Sequence, residues 1–114
     1  MLVESYSFGR IVVGGREYRS DVVVGDEIIV ENWWRKEGHR VCVEDLDWLD
    51  KVDAEAVIFG TGAYGRVKVD EEVVRLLEEK GVEVIIEESS KAVEKFNELK
   101  KKGKKVVLAI HLTC

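Results

Sequence analysis

The stretch Ala56-Val57-Ile58-Phe59-Gly60, read on through residue 110, decides the fold. Ala56 to Phe59 is a short apolar run closed by a glycine, the pattern of a buried strand. Asp70 then stands as the N-cap of a helix with Val73, Val74, Leu76 and Leu77 on one face, stopped by Gly81. Val82 to Ile86 is the next strand. Ser89 or Ser90 caps a second helix whose stripe is Ala92, Val93, Phe96 and Leu99, ended by Gly103. Val106 to Ile110 is the final strand. This β-α-β-α-β order predicts an α/β fold with a partly parallel sheet covered by helices.

Upstream of residue 55 the texture is different. Ile11–Val13 and Arg16–Tyr18 flank Gly14-Gly15, a pair suited to a two-residue hairpin turn. Val22–Val24 and Ile28–Val30 flank Gly25-Asp26-Glu27 and predict a second hairpin. A loop follows from Asn32 to Arg40, then a short helical stretch with Val43, Leu46, Trp48 and Leu49 on its apolar side. We therefore expect one domain over 1–114, β-rich in 1–54 and alternating in 55–114. Neither half is large enough to bury a core alone.

Composition narrows the function classes. Of the 114 residues 46% are hydrophobic, too many for a disordered chain. No apolar run approaches the roughly eighteen residues that span a bilayer. Met1 to Arg10 lacks the basic-then-apolar pattern of a secretory signal, which predicts a cytoplasmic protein. The net charge of −5 argues against a nucleic-acid partner, because a phosphate backbone selects a basic face. Charged residues make up 36%, proline and glutamine are absent, and Asn32 and Asn97 are the sole asparagines. Such ion-pair-rich, amide-poor chains are favoured in thermophiles. Cys42 and Cys114 form no C-x-x-C motif, so no disulfide framework is expected.

Four patterns could carry chemistry. Gly60-Thr61-Gly62-Ala63-Tyr64-Gly65 is a literal G-x-G-x-x-G after a strand, with Glu87 and Glu88 placed as a ribose-binding acid would be. Arg66 to Val69 reads as extended, however, so no helix N-terminus would face a pyrophosphate. A strand-end turn with glycine-dependent angles is the favoured reading. His39-x-x-Cys42 and His111-x-x-Cys114 could together bind zinc, but positions three apart on a strand point to opposite faces. Trp33-Trp34-Arg35-Lys36, with His39 behind, sets aromatic rings beside cations, a composition suited to core packing, a partner surface or a ligand clamp. The run Lys100 to Lys105 around Gly103 reads as a solvated helix end. No hydroxyl lies in a nucleophile elbow, and His39 and His111 are the available near-neutral bases.

These segments occur in a familiar order: Arg16-Glu17-Tyr18-Arg19-Ser20-Asp21, the Trp34-Arg35 to His39 loop, Val57 to Gly62, Gly81 to Val84, Ala92 to Asn97, and the terminal His111-Leu112-Thr113-Cys114. Together they resemble a small conserved family of unknown function found in archaea and bacteria. Its human relatives are the adipogenesis-associated domain protein and, more distantly, mitochondrial complex I assembly factor 3. The resemblance implies a compact three-layer α/β domain, a mixed central sheet with helices plus an N-terminal antiparallel β-layer. It carries no catalytic activity, and the assembly-factor relative favours protein–protein contact. The candidate surface pocket is Trp34, Arg35, His39, Gly60, Thr61, Gly62 and His111, with no catalytic residue, metal or cofactor assigned. The expected partner is an unidentified protein, with a homo-oligomer left open. The alternative is a small-molecule or anion-binding protein, or an enzyme, using a cleft at the Gly60–Gly65 turn, with Arg35 for an anionic group and His39 or His111 as base.

Overall fold

A computed structural model describes residues 1–114. Its strands are β1 (Val3–Ser7), β2 (Arg10–Val13), β3 (Arg16–Tyr18), β4 (Val22–Val24), β5 (Ile28–Val30), β6 (Arg40–Val41), β7 (Ala56–Thr61), β8 (Lys68–Val69), β9 (Glu83–Glu87) and β10 (Val106–His111). Its helices are α1 (Glu71–Glu79) and α2 (Ser89–Lys101), preceded by two short 3-10 turns at Val43–Leu46 and Leu49–Lys51.

The central sheet has the order β5-β4-β10-β7-β9. β7, β9 and β10 run parallel, while β4 and β5 join antiparallel, so the sheet is mixed. Helix placement follows from chirality. The β7-α1-β9 crossover steps outward by one strand, and β9-α2-β10 returns past β7. Parallel crossovers are right-handed, so reversing direction puts the two helices on opposite faces.

Alternation along the strands then splits the interior in two. Val22, Val24, Ile58, Leu108 and Ile110 face α2 through Ala92, Val93 and Phe96, and also face the antiparallel sheet β1-β2-β3 through Val3, Ile11 and Val13. Val23, Val57, Phe59, Val107 and Ala109 face α1 through Val73 and Leu77, with Trp33, Leu46 and Trp48 closing the layer. One five-stranded sheet therefore serves two cores. No helix is long and apolar enough to cross a membrane.

Both hairpins form where the sequence places them. Four details differ from expectation. β7 does not stop before Gly60 but runs through it to Thr61. Gly60 is a packing glycine there, because a Cβ would lie 2.7 Å from Ile110 Cγ1 and 3.1 Å from Ser89 Oγ. Asp70 occupies the N-cap position of α1, yet its carboxylate is drawn away to Arg40 Nε and Nη2, each at 2.8 Å. Neither Ser89 nor Ser90 caps α2; Glu88 holds that position and Ser89 is buried inside the first turn. The last strand ends at His111, and residues 112–114 form a tail.

Candidate functional site

Strand register builds the site. β4 runs antiparallel to β10 with Val22 opposite Ile110, so Asp21, just before β4, arrives beside His111. β7 runs parallel to β10 with Thr61 opposite His111. Both parallel strands end here, on the side of an α/β sheet where ligands commonly sit.

Asp21 is the hub. Its Oδ2 lies 2.7 Å from His111 Nδ1 and 2.9 Å from Arg35 Nη1, and its Oδ1 accepts the Leu112 N–H at 2.8 Å. Burial opposes ionisation of this carboxyl. The His111 hydrogen bond, the Leu112 amide and the nearby His111 and Arg35 charges outweigh it, holding Asp21 below the ordinary carboxylate value. Arg35 Nη2 also stands 3.0 Å from His111 Nδ1. A guanidinium cannot accept and an ionised carboxylate cannot donate, so the 2.7 Å contact places the proton on Nδ1. The Nη2 group donates instead to Gly38 O at 2.9 Å. With Nδ1 committed to Asp21, the other ring nitrogen, Nε2, lies 3.3 Å from Thr113 Oγ1.

Arg35, expected in the alternative reading to hold an anionic group, is here committed to the carboxylate of Asp21 inside the protein. The residue is 7% exposed, pairs with Asp21 and stacks 4.9 Å from the Trp33 ring. Its Nε is buried without an acceptor. The two tryptophans divide their roles. Trp33 is buried and donates its indole N–H to Asp45 O at 3.1 Å, whereas Trp34 is 79% exposed.

Trp34, Arg35 and His111 line a concavity of about 430 Å³, together with Arg19, Asp21, Asn32, Lys36 and Thr113. The exposed His39 stands at its edge, its ring centroid 6.0 Å from that of His111 in an edge-to-face contact. Gly62 lies behind the imidazole. At φ 103 its Cβ would fall 2.7 Å from Thr113 O and 3.0 Å from His111 Cδ2, so both backbone angle and space demand glycine. Gly60 and Thr61 are buried in β7, and the Thr61 hydroxyl donates to Glu87 O at 3.0 Å, which leaves it supporting the floor.

Ser89 locks that floor. Its hydroxyl accepts the Gly62 N–H at 2.8 Å and donates to His111 O at 2.6 Å, tying α2 to the exits of β7 and β10. The Gly60–Gly65 turn presents no phosphate cradle, because the Gly62 amide is spent on Ser89 and the Ala63 amide on Thr113 O at 2.7 Å. No three His, Cys, Asp or Glu side chains converge as a metal site. Cys42 is buried, with Asp45 beside its sulfur at 3.3 Å; burial and that carboxylate push its thiol pKa up, away from a ligating thiolate.

Sequence reasoning missed Asp21, Arg19, Asn32, Thr113 and Ser89 as parts of this region. Asp21 was visible within the Arg16–Asp21 motif but carried no local sign of its role. Beyond the cleft, Phe8 and Tyr64 are 58% and 69% exposed and pack on each other at 6.3 Å between ring centroids. They adjoin the tail, since the Ala63 amide bonds Thr113 O and the Gly9 amide bonds Leu112 O at 3.0 Å. A second concavity at the opposite end of the sheet is lined by Asp26, Lys51, Asp53 and Lys105, and its Lys105–Asp53 pair is already closed at 3.0 Å.

Among known proteins, the conserved hypothetical protein PH1505 from Pyrococcus horikoshii OT3 is 27% identical, with all of both chains covered and a TM-score of 0.88. An outer membrane protein from Bartonella henselae is 22% identical over 96% of this chain and 94% of that one, with a TM-score of 0.76. A Mth938-like domain from Bordetella pertussis is 20% identical over 97% and 85% of the two chains, at a TM-score of 0.64. No curated protein matches the sequence. The pattern of a family described as protein of unknown function (DUF498/DUF598) matches residues 3–111, and the chain belongs to that family.

Proposed function

We propose that this chain acts through contact with another protein, in the manner of an assembly factor, and that the cleft around His111 is the contact surface. Trp34 and His39 form its exposed face, with Arg35 and His111 beneath them and Gly60, Thr61 and Gly62 as its floor. The observation carrying this reading is that Trp34 leaves its ring in solvent at the cleft, while Phe8 and Tyr64, exposed and paired with each other, lie beyond it against the same C-terminal tail. Aromatic residues dominate the energetics of protein interfaces, and exposed clusters of them mark contact sites. We infer from the ordered motifs, Arg16–Asp21 to His111–Cys114, a kinship with the human adipogenesis-associated domain protein and complex I assembly factor 3, which would point in the same direction. The reading places the protein in the cytoplasm, in keeping with Cys42 and Cys114 as free thiols.

The test is quantitative affinity capture from the native organism with wild type and with Trp34→Ala/Tyr64→Ala. Both positions are exposed, so the variant is expected to melt within a few degrees of wild type, about 0.5 kcal/mol per surface change. A partner captured by wild type and lost with the variant supports the proposal. Equal capture by both rejects this surface. A metabolite that raises the melting temperature of wild type but not of His111→Gln, with no partner lost, replaces the proposal with small-molecule binding.

A further inference from the structure

We propose that the segment bound in the cleft is an acidic peptide carrying aromatic or aliphatic residues between its carboxylates. This deepens the protein-contact reading above and rests on it. The chain as a whole carries −5, yet the cleft wall holds Arg19, Arg35 and Lys36 against the single acid Asp21. Asp21 is already neutralised by Arg35 and saturated by His111 and the Leu112 amide. What the cleft presents outward is donors: Arg19, Lys36 and the Asn32 amide.

The two exposed cations have weak competitors. Arg19 reaches Glu17 at 3.2 Å, but that carboxylate is already held by Arg10 at 2.6 Å, and Lys36 reaches Glu44 at 3.8 Å; both cations are themselves largely in solvent. Exposed pairs of this kind contribute about 0–1 kcal/mol, so an arriving carboxylate can take their place. Trp34 stands beside these cations, and a ring next to cations suits a chain in which apolar side chains and carboxylates follow one another.

Two other anions fit less well. A small free anion needs converging fixed donors, whereas the exposed donors here are the long flexible side chains of Arg19 and Lys36 and the Asn32 amide. A small anion would also leave Trp34 uncovered. A nucleic acid needs a basic track for a run of phosphates, and two exposed cations, Arg19 and Lys36, bordered by Glu31, Glu37 and Glu44, offer contacts for one or two carboxylates only.

Isothermal titration of the full chain with three decapeptides tests this, alternating Phe with Glu, with Gln or with Lys. The Glu peptide is expected to bind best, and Arg19→Glu/Lys36→Glu to weaken it by at least about tenfold. Trp34→Ala is expected to weaken it too, and raising salt from about 0.05 to about 0.5 M to lower affinity, on the order of tenfold through screening. If the Gln peptide binds as well as the Glu peptide and both need Trp34, the acidic class is wrong while the contact surface stands. If benzoate or succinate alone binds as tightly as the Glu peptide, the site takes small anions and the peptide proposal falls. Binding of none of the peptides also overturns it, and capture with the Trp34→Ala/Tyr64→Ala variant then decides the broader reading separately.

Discussion

Asp21 joins three parts of the chain that are far apart in sequence: the loop at Arg35, the strand end at His111 and the tail amide of Leu112. Removing its charge strands a buried guanidinium. For Asp21→Asn we expect a loss of about 2–4 kcal/mol in urea unfolding, below the full cost of breaking a sealed pair because the carboxylate is partly exposed. The pH dependence has a definite sign. The folded-state pKa lies below the ordinary 3.8, so the unfolded chain binds the proton first as pH falls. The stabilisation is full above about pH 5 and is lost as pH drops through the lower folded value. Wild type should therefore lose stability more steeply than Asp21→Asn as pH falls below about 5, and parallel slopes would deny Asp21 this role. None of this was legible locally. Arg35 stands among Trp34, Lys36 and Glu37 and reads as core packing, partner surface or ligand clamp; its burial depends on a partner 14 positions upstream, brought near where the Trp33 N–H bonds Asp21 O at 2.8 Å.

At the scale of elements, periodicity carried most of the fold. β7, α1, β9, α2 and β10 lie within about two residues of their expected spans, because each has a continuous or amphipathic apolar pattern. β1 escaped detection for a physical reason. A bulge between Val3 and Ser5 breaks its alternation, and its remaining residues are mostly polar and exposed. β6 and β8 are two residues each and exist only through their mutual pairing. Ser89 shows how a correct residue can receive the wrong task. Its position suits a cap, but the crowded exits of β7 and β10 claim the hydroxyl for the Gly62 amide and the His111 carbonyl. Ser89→Ala leaves both groups buried without that partner, and about 1–3 kcal/mol of stability should go with it. Ser90 is exposed and makes a single contact with Glu88 at 3.4 Å, so Ser90→Ala should stay within about 0.5 kcal/mol in the same thermal melts. Equal effects from the two serines would show that the bridge contributes nothing.

The whole molecule is organised around one shared sheet, and its cooperativity follows from that. Val22 and Val23, Ile58 and Phe59, and Leu108 and Ala109 are adjacent in sequence, yet they belong to different cores on opposite faces. Neither core can come apart without stripping one face of β4, β7 and β10. The N-terminal sheet is tied in as well, since Asn97 of α2 bonds both the amide and the carbonyl of Val3, at 2.9 and 2.8 Å. We propose on these grounds that 1–114 unfolds as one unit, although the sequence changes texture near residue 55. Phe96→Ala empties the α2 face and Leu77→Ala the α1 face; both side chains are fully buried, and each loss should cost about 3–5 kcal/mol. In scanning calorimetry each variant should give a single transition at lower temperature, with calorimetric and van't Hoff enthalpies equal. Two transitions, with Phe96→Ala lowering one and Leu77→Ala the other, would mean that the cores unfold separately and that the sheet does not couple them.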